Sequence, residues 1–376
     1  MKKMLILALS LVILGSVMLT LTACMGDWNF QKIMGTVFET KTYEVDKTFD
    51  KIDIISDTAD ITLLPADDGK CNVVSFDRKK IDYTVSVEGD TLKIKVDDKR
   101  AWFERLFTSG GATLKVYLPY SEYKTLKIDG STGCIAIPCD FKFESIDLNI
   151  STGNVSVLAS ATELIKVKAS TGDISVQNIT TGNLELETST GDISVNTVKC
   201  SENISISVST GAVFLENITC RNLTSDGTTG SFTLTNLATE ENLTIIRDTG
   251  NTKITNADVN GDISLTASTG KTEMFAVRCA SLTSVADTGK LYMSDVIASE
   301  DFDIKRDTGD ITFEACDASE LTIEASTGDV TGSLLSEKIF IVSASTGKIR
   351  VPESTNGGKC KITTSTGNIT IDIKNA

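Results

Sequence analysis

This chain of 376 residues contains no histidine, so its carboxylates and cysteines are the first side chains whose spacing could do chemistry. Without imidazole, Ser–His–Asp and Cys–His catalysis and His-ligated zinc sites are excluded. Asp-Thr-Gly, which is also the catalytic triplet of aspartic proteases, ends at Gly250, Gly289 and Gly309. That chemistry needs two carboxylates that share one proton. Many further copies of the triplet have Ser in place of Asp, so we predict a structural repeat and no protease.

Other acidic residues directly follow a Thr-Gly pair, at Asp173, Asp192, Asp310 and Asp329. Stacked carboxylates are hard oxygen ligands for calcium. However, the paired glycines and alternating Asp of calcium-binding β-rolls are missing from the sequence. We expect solvated turn acids, no metal site, no cofactor and no catalytic residue, while calcium dependence stays open.

The nine cysteines include no Cys-x-x-Cys pair, which argues against a thioredoxin-like motif or a zinc ribbon. Apart from Cys24, we expect them to be small buried side chains. Cys200 and Cys220 occupy equivalent places in neighbouring repeats and could stack or form a disulfide. Because an oxidising exterior favours pairing, the redox state of these eight cysteines stays open.

The first 24 residues have the order of a secretory signal. Lys2 and Lys3 precede an apolar run over Met4–Leu21, and small residues then lead to Cys24. Residues 21–24, Leu-Thr-Ala-Cys, resemble a bacterial lipobox, which implies cleavage before Cys24 and its lipidation. The run could instead be an uncleaved transmembrane helix. Either anchor places the rest of the chain on the extracellular face of the cell membrane.

The formal net charge is −15. A chain this acidic repels phosphate backbones, so we predict no nucleic-acid partner. Charge also disfavours peripheral docking on anionic lipid, which leaves the N-terminal lipid as the expected membrane contact.

A Thr-Gly pair recurs through the rest of the chain at intervals of 19 or 20 residues. Its glycines are Gly133, Gly153, Gly172, Gly191, Gly211, Gly230, Gly250, Gly270, Gly289, Gly309, Gly328, Gly347 and Gly367. Apolar residues alternate with polar ones on both sides of each pair, as in strands. One such unit cannot bury its apolar face alone, whereas stacked units can. The period therefore predicts an all-β solenoid of 19–20-residue coils.

The repeat also accounts for smaller motifs. The Asn-x-Thr sequons at Asn178 and Asn217 are expected as its products. Each glycine should supply a backbone conformation that side chains resist. The sequence leaves open whether the last strand, residues 369–373, is covered by another.

We predict four segments. Residues 1–23 are a lipoprotein signal peptide, and residues 24–49 are a tether with a first strand. Residues 50–130 are a degenerate coil and a β-hairpin cap, because longer strand patterns follow an imperfect copy of the repeat. Residues 131–376 are the β-solenoid.

The aromatic cluster of the chain lies within the predicted cap. Trp102, Phe103, Leu106 and Phe107 share one face at helical spacing. They could pack onto the cap, or they could contact a partner or the membrane.

The run Leu-Lys-Val-Tyr-Leu-Pro at 114–119, Ser-Thr-Gly at 131–133 and the later Ser-Thr-Gly-Asp-Ile-Ser-Val coils resemble the bacterial "putative adhesin" family of unknown function. The resemblance covers roughly residues 50–376. It implies a single-chain right-handed β-solenoid, similar to a β-helix, on the cell surface. It also implies no catalytic residue, and some relatives are associated with envelope stress.

The leading hypothesis is a non-catalytic, surface-anchored, adhesin-like binding or scaffold module of the bacterial envelope. Its partner could be an envelope protein, a peptide or a glycan. The alternative is an envelope-stress sensor or regulator that binds a peptide or membrane component through the cap. A polysaccharide-active enzyme is disfavoured, because the regular repeat provides no convergent catalytic groups.

Overall fold

The computed structural model describes residues 38–99 and 111–374, and these residues form strands and turns without a helix. The all-β prediction is therefore confirmed, and the strands are stacked into the parallel coils of a β-solenoid. Within the described residues, no helix is long and apolar enough to span a membrane. Cys24 and the cluster Trp102, Phe103, Leu106 and Phe107 lie outside the described residues.

The chain divides into two compact units. The first contains residues up to 143 together with 147–157, and the second contains residues 144–146 and those from 158 onward. The strands of the first unit are β1 (Phe38–Val45), β2 (Lys51–Ser56), β3 (Ala59–Pro65), β4 (Cys71–Arg78), β5 (Ile81–Glu88), β6 (Thr91–Asp98), β7 (Ala112–Leu118), β8 (Glu122–Thr132), β9 (Ile135–Ile137), most of β10 (Lys142–Thr152) and β11 (Val155–Val157).

The first unit combines a coil with antiparallel strands. β2 and β3 form the coil, which pairs in parallel with β8 and β9. β5 and β6 form an antiparallel hairpin, and β1 and β7 both pair antiparallel with β4. The sequence pattern of β7 indicates a hairpin strand. In the structure it pairs antiparallel with β4 on one side and in parallel with β3 on the other.

The strands of the second unit alternate between two parallel sheets. Its even-numbered strands are β12 (Ser160–Thr171), β14 (Asn183–Thr190), β16 (Asn203–Thr210), β18 (Asn222–Thr229), β20 (Leu243–Thr249), β22 (Ile263–Thr269), β24 (Leu282–Thr288), β26 (Asp301–Thr308), β28 (Glu320–Thr327), β30 (Lys338–Thr346) and β32 (Gly358–Thr366). Its odd-numbered strands are β13 (Ile174–Thr181), β15 (Ile193–Cys200), β17 (Val213–Cys220), β19 (Phe232–Thr239), β21 (Thr252–Val259), β23 (Thr272–Cys279), β25 (Leu291–Ala298), β27 (Ile311–Cys316), β29 (Val330–Leu334), β31 (Ile349–Arg350) and β33 (Ile369–Ile373).

Each coil consists of an even strand, a Thr-Gly turn and the following odd strand. Neighbouring coils pair in register, so that Ile204 lies beside Leu184 and Thr210 beside Thr190. The inward positions predicted from the alternation are buried, as Ile204, Ile206 and Val208 show. Threonines of the Thr-Gly pairs consequently align along one edge of the unit.

The Thr-Gly turns require glycine for two reasons. Gly211 has a φ of +150°, which L side chains rarely adopt. A Cβ atom added there would lie 1.9 Å from the carbonyl oxygen of Gly191 in the neighbouring coil. The same close approach recurs from coil to coil, which explains why the glycine is repeated.

Two arginines are buried in the core of the second unit. Arg306 is 1% exposed and donates to the hydroxyl and carbonyl oxygens of Ser284 at 2.9 and 2.8 Å. Arg247 similarly donates to Ser225 Oγ at 2.6 Å and lies over Gly227. Burial lowers the pKa of each guanidinium to about 10. Small residues in the preceding coil provide the space that these long side chains fill.

The last two coils are stacked out of chain order. β32 pairs with β28 on one side and with β30 on the other, so the last even strand lies between two earlier ones. Likewise, β33 lies between β29 and β31, and the final strand of the chain is therefore covered on both sides. We call residues 338–350 the terminal coil and residues 358–373 the inserted coil.

Two adjacent glycines allow this insertion. A Cβ atom on Gly357 would lie 1.8 Å from the carbonyl oxygen of Glu337, and one on Gly358 would lie 1.8 Å from that of Ser319. The chain therefore passes closely between the starts of β28 and β30 as it enters the inserted coil.

Candidate binding surface

A bend interrupts the odd strands of the second unit six residues after the turn glycine. The residue at the bend has a positive φ of 51–57° in eight coils. These residues are Asn178, Thr197, Asn217, Asn236, Asn256, Ala276, Asp295 and Ala315. Asn and Asp tolerate this left-handed conformation better than most residues, which explains why they hold five of the eight places.

The asparagines at the bend form a ladder. Asn236 Nδ2 donates to Asn217 Oδ1 at 2.8 Å, and Asn256 Nδ2 donates to Asn236 Oδ1 at 2.8 Å. An amide side chain has two N–H donors and an oxygen with two lone pairs. Each contact within the ladder uses one donor and one lone pair, so the exposed amides can still hydrogen-bond to a ligand.

A shallow concave surface of about 640 Å³ runs along this bend. It crosses five coils, which at a strand spacing of about 4.8 Å makes it roughly 19 Å long. We call it the bend channel. The outward side chains that line it are Thr197, Lys199, Asn217, Thr219, Asn236, Ala238, Asn256, Asp258, Ala276 and Arg278.

The chemistry of the bend channel is mostly that of amides, hydroxyls and small side chains. Its charged groups are few, and Arg278 is already paired with Asp295 at 2.8 Å. Among the described residues, no group of three or more His, Cys, Asp or Glu side chains could hold a metal ion. The channel is therefore suited to hydrogen bonding with an extended polar molecule.

The acids that follow Thr-Gly have a structural role. Asp173 Oδ1 accepts a hydrogen bond from the backbone N–H of Asp192 at 2.9 Å, and Asp192 Oδ1 accepts one from that of Ala212 at 2.7 Å. Asp310 and Asp329 make the same kind of contact to the next coil in space. These carboxylates satisfy backbone donors at the turn, a role that needs no bound cation.

The Asp-Thr-Gly triplets occupy ordinary turn positions. Asp287 and Asp307 precede threonines that pair in register in neighbouring strands, and both side chains are exposed on the edge of the unit. They stand where most coils have Ser, as the repeat predicts.

Among the free cysteines of the described residues, six are buried, whereas Cys139 is exposed. Cys200 and Cys220 are both free thiols, so no disulfide joins them in this structure. Burial raises the pKa of Cys220, Cys279 and Cys360 to about 12. Because the thiolate is the reactive form, these thiols should be unreactive while the coils stay closed.

The bend channel was not predicted from the sequence, although its signal was present. Asn178 and Asn217 drew attention only as parts of sequons. Their constant distance of six residues from the turn glycine, with Asn or Asp in most coils, is the pattern of a left-handed bend.

Residues 49–204 and 258–376, which together exceed half of the chain, match the Toastrack DUF4097 family. A search among curated proteins found no match.

Several solved structures are similar over most of the chain. A "putative adhesin" from Bacteroides fragilis is 13% identical and covers 90% of this chain and 97% of its own, with a TM-score of 0.22. A "putative lipid binding protein" from Parabacteroides distasonis is 15% identical, with coverages of 89% and 96% and a TM-score of 0.20. A "putative cell adhesion protein" from Clostridium sporogenes is 8% identical, with coverages of 90% and 100% and a TM-score of 0.19. Likenesses of this size carry no conclusion about function.

Proposed function

We propose that this chain, which belongs to the Toastrack DUF4097 family, is a non-catalytic binding module that holds an extended polar ligand, such as a glycan chain, in the bend channel. The observation that carries the proposal is the row of exposed amides and hydroxyls at the same bend of successive coils. A polymer with regularly spaced hydroxyl groups can meet such a row at several points.

The stacked coils favour this role energetically. Every coil beneath the channel is paired on both sides, so the channel is formed before the ligand arrives. Binding to a preformed surface avoids the entropy cost of ordering a loop. The net charge of −15 favours neutral over polyanionic glycans.

Mutations that fill the channel test this function. Ala238 is an exposed small residue of the channel, and Ser207 is an exposed small residue on the outward face of β16. We expect Ala238→Trp to weaken binding of the full-length protein on a glycan array about tenfold, because the ring occupies the channel. Ser207→Trp should leave binding unchanged. Equal loss in both variants, or no glycan bound by the wild type, would contradict the proposal.

We further propose that the module is attached to the outer face of the cell membrane through lipid on Cys24. The signal-like order of residues 1–24 supports this. Intact-mass analysis of the protein from its native membrane should show a chain that starts at Cys24 with added lipid, and Cys24→Ala should lack both. If the chain is instead uncleaved and stays in the membrane, the anchor is an N-terminal helix and not a lipid. A soluble cytosolic product would contradict export altogether.

A further inference from the structure

β30 has an unpaired edge in the part of the chain that the structure describes. Its nine residues pair with β32 on one side, whereas β32 itself is paired on both. Backbone N–H and C=O groups along such an edge can pair with an added strand. Natural edges are usually blunted by charges or proline, but residues 339–347 contain neither.

Apolar side chains surround this edge on both faces of the strand. Phe340 and Val342 point inward beside the buried Cys360 and Ile362, but no further coil among the described residues covers them, and both are half-buried. Ile341 points outward and is 53% exposed, while the outward residue beside it in β32 is Lys361. Terminal repeats of solenoids normally have a polar outer face. This end of the unit is apolar instead.

A groove of about 940 Å³ adjoins the edge. Its lining includes Phe340, Ile349 and the segment 350–356, which contains Pro352 and Glu353, and also Glu337. Ile349 is 44% exposed. The groove therefore offers apolar contacts at Phe340 and Ile349, among polar and charged side chains, to a strand laid along the terminal coil.

The charge of this end differs from that of the rest of the molecule. Residues 338–376 contain six Lys or Arg and two Asp or Glu, whereas the preceding 337 residues contain 30 and 49. Lys348 and Arg350 are exposed at the terminal coil itself. Glu337 and Glu353 flank this coil, and Arg350 Nη2 lies 4.0 Å from Asp372 Oδ1, so the positive charge there is partly offset.

We propose that this edge binds an extended acidic segment of a partner protein, which adds a strand to β30. The backbone of the segment pairs with the free edge, and its apolar side chains enter the groove beside Phe340 and Ile349. Its carboxylates meet Lys348 and Arg350, the charges that distinguish this end.

Other occupants fit less well. A glycan has no backbone to complete a β-sheet edge, and lipid would leave the edge N–H and C=O groups without partners. A second copy that docks with the same end would bring Lys348 and Arg350 close to their own counterparts. The edge, the groove and the local charge together favour an acidic polypeptide strand.

Two synthetic peptides as long as β30 provide the test, one of alternating Val and Glu and the other of alternating Val and Lys. We expect the full-length protein in detergent to bind the acidic peptide about tenfold more tightly than the basic one, by fluorescence anisotropy. The salt concentration should be about 0.15 M, because it screens the distant acidic residues and leaves the attraction of nearby Lys348 and Arg350. Binding of the acidic peptide should slow amide hydrogen exchange in residues 338–346 and leave that of β20 unchanged.

Variants distinguish the contributions of charge and edge. Lys348→Glu with Arg350→Glu should reverse the preference between the peptides, since these residues supply the local charge. Ile341→Gln should weaken acidic-peptide binding less than charge reversal does, because it removes an apolar contact without adding a charge. Ile246→Gln, at an outward position of β20 that is 39% exposed, should have no effect.

Three results would overturn the proposal. The first is equal binding of both peptides, or acidic binding without protection of residues 338–346. The second is concentration-dependent dimerisation that protects these residues without peptide, which would make a second copy the occupant. The third is peptide-independent docking on phosphatidylglycerol vesicles that Ile341→Gln abolishes, which would make lipid the occupant.

Discussion

The central coils, residues 174–327, and the terminal coil are built from the same Thr-Gly repeat but differ in what surrounds them. Each central coil lies between two others, and inward side chains such as Ile204 and Ile323 are at most 1% exposed. The terminal coil is covered on one side by the inserted coil, and Ile349 remains 44% exposed although it is an inward residue. The repeat therefore specifies the conformation of a coil, while burial depends on its neighbours.

This difference has consequences for stability and for function. In a stack, each coil is stabilised mainly by its two neighbours, so a terminal coil can open without unfolding the rest. Open backbone groups and exposed apolar side chains are also what a partner strand requires. The uncovered edge of the terminal coil is therefore suited to bind a partner strand.

Substitution of the turn glycines should show the largest difference in stability between the central coils and the terminal coil. Gly211→Ala forces a Cβ atom to within 1.9 Å of a backbone oxygen in a coil that cannot move away. We expect it to lower the free energy of unfolding by about 4 kcal/mol in urea denaturation followed by circular dichroism. Gly347→Ala creates the same contact with Gly367, but the terminal coil can separate locally. Its effect should be about half as large.

A third glycine has a positive φ without the steric clash. Gly69 has a φ of +69°, and no described residue lies within 4 Å of an added Cβ atom, so Gly69→Ala should cost only about 1 kcal/mol. If Gly211→Ala were no more costly than Gly69→Ala, the close stacking of the turns would be refuted.

The ion pair that holds the start of the terminal coil should give a smaller effect. Lys338 Nζ lies 2.8 Å from Asp317 Oδ1, and the two side chains are 5% and 17% exposed. Lys338→Met leaves a poorly solvated carboxylate, so we expect a loss of about 2 kcal/mol and faster hydrogen exchange in β30. Asp317→Asn added to Lys338→Met should recover part of that loss.

An exposed pair near the central coils is the matched control. Lys168 and Glu187 are 2.8 Å apart, with both side chains about half exposed. Because water screens such pairs, Lys168→Met should change the free energy of unfolding by less than about 0.5 kcal/mol. A cost equal to that of Lys338→Met would mean that burial of the Asp317 pair contributes nothing.

Thiol labelling should reveal the smallest difference, without destabilising mutations. Cys220 in the central coils and Cys360 in the inserted coil are equally buried, and burial raises the pKa of both to about 12. Their reactivity therefore depends on how often each coil opens. In mild urea, we expect Cys360 to react with iodoacetamide about tenfold faster than Cys220, as measured by mass spectrometry. Equal rates would indicate that the stack opens as one unit.

The fold of the central coils could be predicted because each coil repeats the same local requirements. The alternation identified inward residues such as Ile206 and Val208, and the constant interval identified the glycine of each turn. These features depend on neighbours that have the same sequence pattern, so one register satisfies all of them.

The bend and the end of the stack could not be predicted in the same way. The interval from Gly328 through Gly347 to Gly367 is regular, yet the coil that follows Gly328 in space is that of Gly367. Two features of the sequence accompany this change in stacking order, namely the unbroken apolar run Ile339–Val342 and the segment 352–358, which contains Pro352 and Gly358. A periodicity of apolar residues does not report which coil a segment pairs with. The roles predicted for Cys24 and Trp102 stay predictions, because both residues lie outside the described part of the chain.

Cross-linking of the turn threonines tests the central claim, that the last coil is inserted between two earlier ones. Thr366 is in register with both Thr327 and Thr346, whereas Thr327 and Thr346 are two strands apart. Neighbouring strands lie about 4.8 Å apart, within reach of a disulfide, and strands two apart do not. In a Cys139→Ser background, Thr327→Cys with Thr366→Cys should form a disulfide under mild oxidation, detected by peptide mapping. Thr327→Cys with Thr346→Cys should not. Efficient cross-linking of the second pair and not of the first would show stacking in chain order and contradict the account.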